Sequence, residues 1–240
     1  MLRIIDARTG EPVDPAPARR GLTRVQAHAA GCDTTALRVL LVADVLFRAL
    51  ELGGTPVWAL LTGERQQAEL RAAAAALGIR PFEDSRQVSS GLGEAQVIHV
   101  VAENGTAPDG VRIRVGPVDH ASGAIPEGAD PAEVRLALLS RPRSEPVRLD
   151  ADALGEARET LARWRRAVAD WARTPSRAIP EEVRGELRTA WEDDLDILAV
   201  LRVLRGVETS DLPEGARFET YAYADRLLGL ELTRDVGSPA

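Results

Sequence analysis

The chain contains few side chains of the types that carry covalent or metal chemistry. Its 240 residues include one cysteine, Cys32, and three histidines, His28, His99 and His120. Cys32 and His28 could form a nucleophile and base pair, but a spacing of four on a strand or turn does not bring them together. We therefore favour a small buried thiol beside a helix start. A single cysteine also excludes an intrachain disulfide and a multi-thiolate zinc site.

The other polar groups are more typical of structure than of chemistry. His99 lies inside the apolar run QVIHVV and is predicted to be a core or sheet-face histidine, whereas His120 lies in a loop and is predicted to be solvated. The acidic run in residues 192–196 could bind a divalent metal. Adjacent helix positions do not converge on one ion, so a solvated helix face is favoured. The arginines around Trp164 could contact RNA, although a charged bundle surface is the simpler interpretation.

The composition excludes several classes of function. The chain has no lysine, so all 30 of its Lys and Arg residues are arginine. Walker-A loops, Schiff bases and pyridoxal phosphate anchoring all need a lysine amine and are therefore excluded. A net charge of −7 disfavours general nucleic-acid binding, which depends on cations that neutralise phosphates. No apolar run approaches the roughly 18 residues of a membrane span, and no secretory signal is present, so we expect a cytoplasmic protein.

The first half of the chain alternates strands with helices. A strand over residues 23–30 precedes a turn, and Asp33 is a good N-cap for a helix over residues 34–52, where apolar residues recur at three and four. The continuous apolar run at residues 55–62 is typical of a parallel strand covered on both faces. Together these elements predict a βαβ unit and a parallel sheet. The remaining predictions are a Pro-rich loop over 11–21, a helix over 64–78, and strands over 2–6, 96–103 and 111–115.

The second half has helical periodicity throughout. Asp130 is predicted to cap a helix whose first residue is Pro131. Three further helices, each with one apolar stripe, are predicted within residues 150–174, 180–206 and 213–232. Helices with a single apolar stripe must pack those stripes together, so the second half is predicted to be a helical bundle.

The fold class that follows is α/β, with a parallel-sheet domain followed by an α-helical bundle. Trp164, Trp171 and Trp191 recur at helical spacing and are interpreted as the bundle core. The loop GPVDHASGAIPEGAD separates the two halves, so the domains are predicted as residues 1–128 and 129–240.

Five segments carry a resemblance to a known family. They are LRIIDARTGEPV, DVLFRALELGGTPVW, DPAEVRLALLS, TAWEDDLDILAVLRVL and GARFETYAYADRLLGLEL. In this order and spacing they resemble segments of the cysteinyl-tRNA synthetases and of the mycothiol cysteine ligases, which share one architecture. The resemblance implies that the first domain is a reduced Rossmann-like (HUP-type) nucleotidyl-transferase-like domain. It also implies activation of cysteine with ATP as an aminoacyl-adenylate, with a zinc ion that selects the thiol.

The nucleotide-binding motifs of that family are altered here. The HIGH signature corresponds to Asp33, Thr34, Thr35 and the following alanine, so no histidine is present to stabilise the ATP phosphates, and Asp33 adds negative charge. The KMSKS loop corresponds to the segment VDHASGAIPEG, in which His120 and Ser122 stand near the positions of the lysines. His120 is a poor substitute for a lysine because imidazole is mostly neutral at pH 7.

The metal-binding and tRNA-binding parts of the family are also reduced. Only His28 and Cys32 match the early zinc-binding segment, and the connecting insertion is almost entirely missing, so no zinc is expected. We expect the anticodon-recognising part that follows the bundle in the synthetases to be mostly absent, so tRNA is not the expected partner.

These departures predict a shortened, catalytically degenerate paralogue that has lost cysteine activation and binds a small-molecule ligand or a protein partner. No catalytic residue is assigned. The candidates for a pocket that holds a nucleotide such as ATP, or another ligand, are Cys32, Asp33, Thr34, Thr35, Arg38, His120 and Ser122. The alternative is an active ATP-dependent amino-acid ligase of altered specificity, in which Arg38 and either Arg112 or Arg114 replace the lost cations. A third hypothesis is an interaction module that works with a partner protein or as a homodimer.

Overall fold

The computed structural model describes residues 1–18, 21–63, 65–85, 96–119, 125–126 and 128–238. The elements of its first part are β1 (Ile4–Ile5), β2 (Pro12–Val13), β3 (Thr23–His28), α1 (Thr34–Leu52), β4 (Val57–Thr62), α2 (Gln67–Ala76), β5 (Glu83–Asp84), β6 (Gln96–Ala102), β7 (Val111–Val115) and β8 (Val118–Asp119). The second part contains α3 (Pro131–Leu139), β9 (Val147–Arg148), α4 (Ala151–Trp171), α5 (Glu181–Glu192), α6 (Ile197–Glu208) and α7 (Glu214–Leu228).

The central sheet is parallel and has five strands in the order β5-β4-β3-β6-β7. This is the order of a Rossmann-like sheet, in which the strand order reverses between the parallel neighbours β3 and β6. In its register Gln26 of β3 lies beside Leu60 of β4 and His99 of β6. The predicted α/β fold, with a reduced Rossmann-like sheet followed by helices, is thus confirmed. Two-residue strands at β2, β5, β8 and β9 were not predicted, and β2 lies within the predicted Pro-rich loop.

Helix α1 is the central helix of the molecule, and its bounds match the prediction. It begins at an N-cap, Asp33, whose carboxylate accepts a hydrogen bond from the backbone N–H of Ala36 at 2.7 Å. Its last residue is Leu52, and Gly53 follows as the C-cap, where the apolar pattern also stops. The helix packs against the sheet strands β3, β4 and β6 and against α7. Because neighbours surround it, even Arg38 and Asp44 are buried at 1% exposure each.

A buried ion network around Asp44 joins α1 to the helices of the second part. The Asp44 carboxylate accepts hydrogen bonds from Arg135 of α3 at 2.8 Å and from Arg48 at 2.9 Å. Arg135 also donates to the carbonyl oxygens of Leu228 at 2.7 Å and Leu77 at 3.0 Å. Buried charges need such partners, so this network stabilises one relative position of α1, α3 and α7. The predicted division into residues 1–128 and 129–240 stays a prediction.

The prediction of one helix over residues 180–206 is wrong, since the structure contains two helices with a break between them. α5 ends at Glu192 and α6 begins at Ile197. Between them Asp194 and Leu195 both adopt left-handed backbone conformations, with φ of 53° and 56°. Such angles cost a non-glycine residue about 1–2 kcal/mol. The N-terminal segment holds the break open, because the carbonyl of Arg3 accepts the N–H of Asp194 at 2.8 Å.

The acidic run 192–196 is therefore not a solvated helix face, as the sequence had indicated. Glu192 forms ion pairs with the N-terminal amine and with Arg188. Asp194 pairs with Arg143, and Asp196 caps α6 by accepting the N–H of Ala199 at 2.8 Å. Three of the four carboxylates of the run thus have a structural partner, whereas Asp193 is exposed.

The core of the helical part is aromatic, as predicted. Trp164, Trp171 and Trp191 are buried at 0%, 6% and 3% exposure. The ring of Tyr221 makes edge contacts with Trp164 and Trp171 at centroid distances of 5.7 and 5.2 Å. The Tyr221 hydroxyl donates to the Leu204 carbonyl at 2.9 Å, so its burial leaves no polar group unpaired. No helix in the described ranges is long and apolar enough to cross a membrane.

Candidate functional site

The start of α1 lies at the carboxyl edge of the parallel sheet, where the sequence predicts a pocket. β3 ends at His28, and the chain passes through Cys32 to Asp33 and Thr34 at the first turn of α1. In open parallel sheets, ligands bind outside this edge at the point where strand order reverses, which here lies between β3 and β6. The topology thus brings Cys32, Asp33, Thr34 and Thr35 to the expected place.

Asp33 already supplies an anion to this helix start. Its carboxylate accepts the Ala36 N–H, which is one of the free N–H groups that a phosphate would use. A carboxylate at the N-terminus also interacts favourably with the helix dipole. An incoming phosphate would therefore meet a negative charge and a partly satisfied helix end.

Cys32 has the properties of an unreactive thiol. It is free and half-buried, and it packs against the hydrophobic core. Burial raises the pKa of the thiol, and the carboxylates of Glu69 and Asp33 raise it further. Because the thiolate is the nucleophilic form, this environment disfavours a catalytic cysteine.

The two threonines of the first turn of α1 face inward. Thr34 is buried at 3% exposure. The Thr35 hydroxyl oxygen accepts the backbone N–H of Val118 in β8 at 3.0 Å. That hydrogen bond joins α1 to the first residue of the segment VDHASGAIPEG, which corresponds in position to the KMSKS loop. His120 and Ser122, the two candidates in that region, lie outside the described residues.

Arg38 connects α1 to two other segments through their main chain. Its terminal nitrogens donate to the carbonyl oxygens of Gly116 at 2.9 Å, Glu145 at 2.6 Å and Pro142 at 2.7 Å. Burial lowers the pKa of the guanidinium to about 10, so it stays charged at neutral pH. Within the described residues its Nε is buried without a hydrogen-bond partner. The main role of Arg38 in this structure is therefore to join α1 to the segments around Gly116 and residues 142–145 through their carbonyl groups.

The other arginines considered as replacement cations differ in accessibility. Arg112 is half-buried and donates from its guanidinium to the Ala107 carbonyl at 2.7 Å, while its backbone N–H donates to Asp6 at 3.2 Å. Arg114 is exposed on the outermost strand β7. Neither shares a hydrogen bond with Arg38 in the described part of the chain.

Two histidines that sequence reasoning treated separately lie together on the sheet face opposite α1. His28 Nε2 and His99 Nδ1 are 3.0 Å apart, so one ring donates and the other accepts. Burial lowers the pKa of His28 to about 4, with a further contribution from the charge of His99. Burial also lowers the pKa of His99, which is 2% exposed and confirms the predicted sheet-face position. Side chains alternate between the two faces along β3 and β6. With the register known, this alternation would have placed His28 and His99 on the same face of neighbouring strands.

The described residues contain no group of three or more His, Cys, Asp or Glu side chains placed to hold a metal ion. His28 and Cys32, the two matches to the zinc-binding segment of the family, therefore acquire no further ligand among these residues.

A cavity of about 380 Å³ lies beside the middle of α1. Its walls come from the middle of α1, the end of α3 with residues 141–144, and the break between α5 and α6. Of the described candidate residues, Arg38 lines this cavity and Cys32, Asp33, Thr34 and Thr35 do not. Sequence reasoning missed it because the helix break that forms one wall was not predicted.

Part of the chain is similar in sequence to ligases that carry one and the same name. No family model matches the chain. A ligase of Streptomyces griseus, named L-cysteine:1D-myo-inositol 2-amino-2-deoxy-alpha-D-glucopyranoside ligase, is 39% identical over 111 residues, which are 44% of this chain and 26% of that protein. Proteins of the same name from Streptosporangium roseum and Parafrankia are 37% identical over 109 residues and 35% identical over 101 residues.

The coverage of these relatives is partial on both sides. The matches to the Streptosporangium and Parafrankia proteins cover 43% and 42% of this chain, and 26% and 22% of those proteins. The chain therefore spans about a quarter of the length of the curated relatives it matches. Within this extent the resemblance to the mycothiol cysteine ligases, a cysteinyl-tRNA synthetase-like family, is confirmed.

Proposed function

We propose that this chain is a binding protein built on a cysteine-ligase-like scaffold and that it does not activate cysteine. Its ligand is a small molecule or a partner protein. The observation that carries the proposal is the condition of the α1 start. Asp33 occupies a helix N–H with its own carboxylate, and the terminal nitrogens of Arg38 are bound to main-chain carbonyls.

The energetic argument concerns the charge that develops on phosphate during adenylate formation. Removing one preorganised donor to such charge typically costs about 10²–10³ in rate. The resemblance implies histidines at the start of α1 and lysines in the later loop. This chain has no histidine in residues 33–36 at the start of α1, and it contains no lysine. Several such losses together would reduce adenylate formation close to the uncatalysed level.

The direct test is ATP–pyrophosphate exchange with cysteine and a panel of other amino acids, measured on the full chain. The expected result is exchange no faster than a protein-free control. Sustained exchange with any amino acid would overturn the proposal.

The charge at Asp33 can be tested separately through nucleotide binding. Asp33→Asn keeps a good N-cap and removes the carboxylate charge. Because a charge near a helix terminus contributes about 0.3–1 kcal/mol, we expect ATP to bind the variant up to about fivefold more tightly than the unaltered chain. Fluorescence titration with a labelled ATP analogue measures this difference.

The matched control for that measurement is Asp150→Asn. Asp150 caps α4 in the same way, by accepting the Ala153 N–H at 3.0 Å. The control should leave ATP affinity unchanged. Equal affinities for all three proteins would show that Asp33 does not oppose nucleotide binding at the α1 start.

A second candidate function is an active ligase of altered specificity. The relatives, which are named as cysteine ligases and are 35–39% identical over the matched segments, favour it. Arg114 is the exposed arginine among the cations considered for this role. If exchange is detected, Arg114→Gln should reduce it at least tenfold, whereas the exposed Arg173→Gln should not. Unchanged exchange in Arg114→Gln would remove Arg114 from the mechanism.

A further inference from the structure

The cavity beside α1 combines an apolar wall with an incompletely paired set of charges. Its apolar surface includes Leu41, Val42 and Val45 of α1 and Leu138 and Leu139 of α3. Its volume of about 380 Å³ is in the lower part of the range of small-molecule pockets, about 300–1,000 Å³. Mostly apolar walls with a few placed polar groups are typical of ligand sites.

The cations of the cavity exceed its anions. Arg143 is paired with Asp194, and Arg202 lies 3.5 Å from the Asp196 carboxylate. Arg141 is exposed at the mouth, and in the described ranges it forms no ion pair. Together with Arg38 these arginines outnumber the three aspartates of the lining, which include Asp193.

Arg38 is the buried member of this set. It is 1% exposed, and its three hydrogen bonds go to neutral carbonyl groups. Its Nε is buried without a partner in the described part of the molecule. The Glu145 carboxylate interacts with Arg38 through space, but in the described ranges it forms no ion pair with the guanidinium. An anion in this cavity would therefore be stabilised by the Arg38 charge as well as by Arg141.

The wall opposite α1 is held in a strained conformation. Asp194 and Leu195, both in the lining, are consecutive non-glycine residues with left-handed φ angles of 53° and 56°. Strain of this kind occurs mainly where the surrounding structure enforces it, and it is concentrated at ligand sites and other functional positions. A continuous helix through residues 192–197 would replace this wall, so the strained break is what shapes the cavity.

We infer that this cavity binds a small molecule with an apolar body and a single carboxylate, which pairs with Arg141 at the mouth while the body lies against the leucines and valines of α1 and α3. This site shares Arg38 with the predicted pocket but none of the other described candidates, and the inference does not depend on whether the chain activates an amino acid.

The test uses three probes that share one apolar body: 4-phenylbutyrate, its neutral amide 4-phenylbutyramide, and the cation 4-phenylbutylamine. Titration calorimetry on the full chain should give at least tenfold tighter binding of the carboxylate than of the amide, and weakest binding of the amine. Equal affinities for the three probes, or tightest binding of the amine, would overturn the inference. Absence of carboxylate binding at millimolar concentration would overturn it as well.

Variants locate the binding in this cavity. Arg141→Gln should weaken the carboxylate about tenfold and leave the amide unchanged, whereas Arg173→Gln, a control on the exposed surface of another segment, should change neither. Val42→Phe should fill the cavity and abolish binding of all probes. If Val42→Phe does not fold, Leu198→Phe, at a half-buried position of the same lining, serves the same purpose. Unchanged carboxylate affinity in Arg141→Gln and in the filled variant would contradict the assignment.

These outcomes are independent of the exchange assay. Failure of the probe titrations would leave the proposed loss of cysteine activation untouched. Detection of pyrophosphate exchange would leave the carboxylate site untouched.

Discussion

The start of α1 and the cavity beside its middle differ in how their polar groups are satisfied. At the start, Asp33 caps its own helix and Thr35 holds the backbone of Val118. In the cavity, Arg141 has no ion pair within the described ranges, and Arg38 has a buried Nε without a partner. The polar groups of Asp33 and Thr35 at the α1 start are thus engaged by the fold, whereas in the cavity Arg141 and the Arg38 Nε are not engaged in this way by described residues.

Arg38 belongs to both regions, and among the substitutions considered its removal should cause the largest loss of stability. Arg38→Ala leaves the carbonyls of Gly116, Pro142 and Glu145 without their donor. Because a hydrogen bond to a charged group contributes about 1.5–3 kcal/mol, we expect the free energy of unfolding to fall by about 3–5 kcal/mol. Urea denaturation measures this change.

The exposed Arg173→Ala is the control for that experiment and should change the free energy of unfolding by less than about 0.5 kcal/mol. A loss below about 1 kcal/mol for Arg38→Ala would show that Arg38 is not a structural joint. Arg38 would then be available for a ligand at the α1 start.

A second prediction concerns pH and the sheet face that carries His28 and His99. Burial lowers the pKa of His28 to about 4, below the value of about 6.5 in an unfolded chain. The folded state therefore favours neutral imidazole, and the pair contributes stability above pH 6.5 that is lost as pH falls toward 4. The expected loss across this window is about 2–3 kcal/mol.

Urea midpoints at several pH values between 7 and 4 measure this loss. His28→Gln removes the titrating group and should flatten the pH dependence relative to the unaltered chain, while the carboxylates common to both proteins titrate equally. Parallel curves for the two proteins would show that the histidine pair does not couple folding to pH.

A smaller effect is expected at Thr35. Thr35→Val removes the hydroxyl that accepts the Val118 N–H and keeps the shape of the side chain. We expect a loss of about 1 kcal/mol in the free energy of unfolding, with more rapid hydrogen exchange at the Val118 amide. Exchange at Val118 that does not change would mean that β8 is held to α1 by other contacts.

Several elements were predictable because their causes are local. The Asp33 cap and the apolar spacing of α1 lie within one stretch of sequence, and the helix has the predicted bounds. Similarly, Asp130 and Pro131 open α3 as predicted, because cap and first-turn preferences involve neighbouring residues. The position of Thr35 in the first turn of α1 is local in the same way, because it follows from the Asp33 cap two residues earlier.

The break between α5 and α6 was not predictable in the same way. Residues 180–206 keep an apolar stripe across the break, and neither glycine nor proline occurs between Glu192 and Ile197. The conformation of Asp194 and Leu195 depends on Arg3, at the other end of the chain. The periodicity of apolar residues does not indicate a contact between segments that are far apart in the sequence. The cavity depends on the break, so it was not predicted either.

The parallel sheet, the bounds of α1 and the resemblance to the cysteine ligases could be read from the sequence alone, because they depend on local patterns and on the order of segments along the chain. The contact of His28 with His99, the hydrogen bonds of Arg38 to carbonyls of distant segments and the strained break beside a cavity became visible only in the folded chain. The physical reason is that hydrogen bonds and burial depend on which segments meet in space.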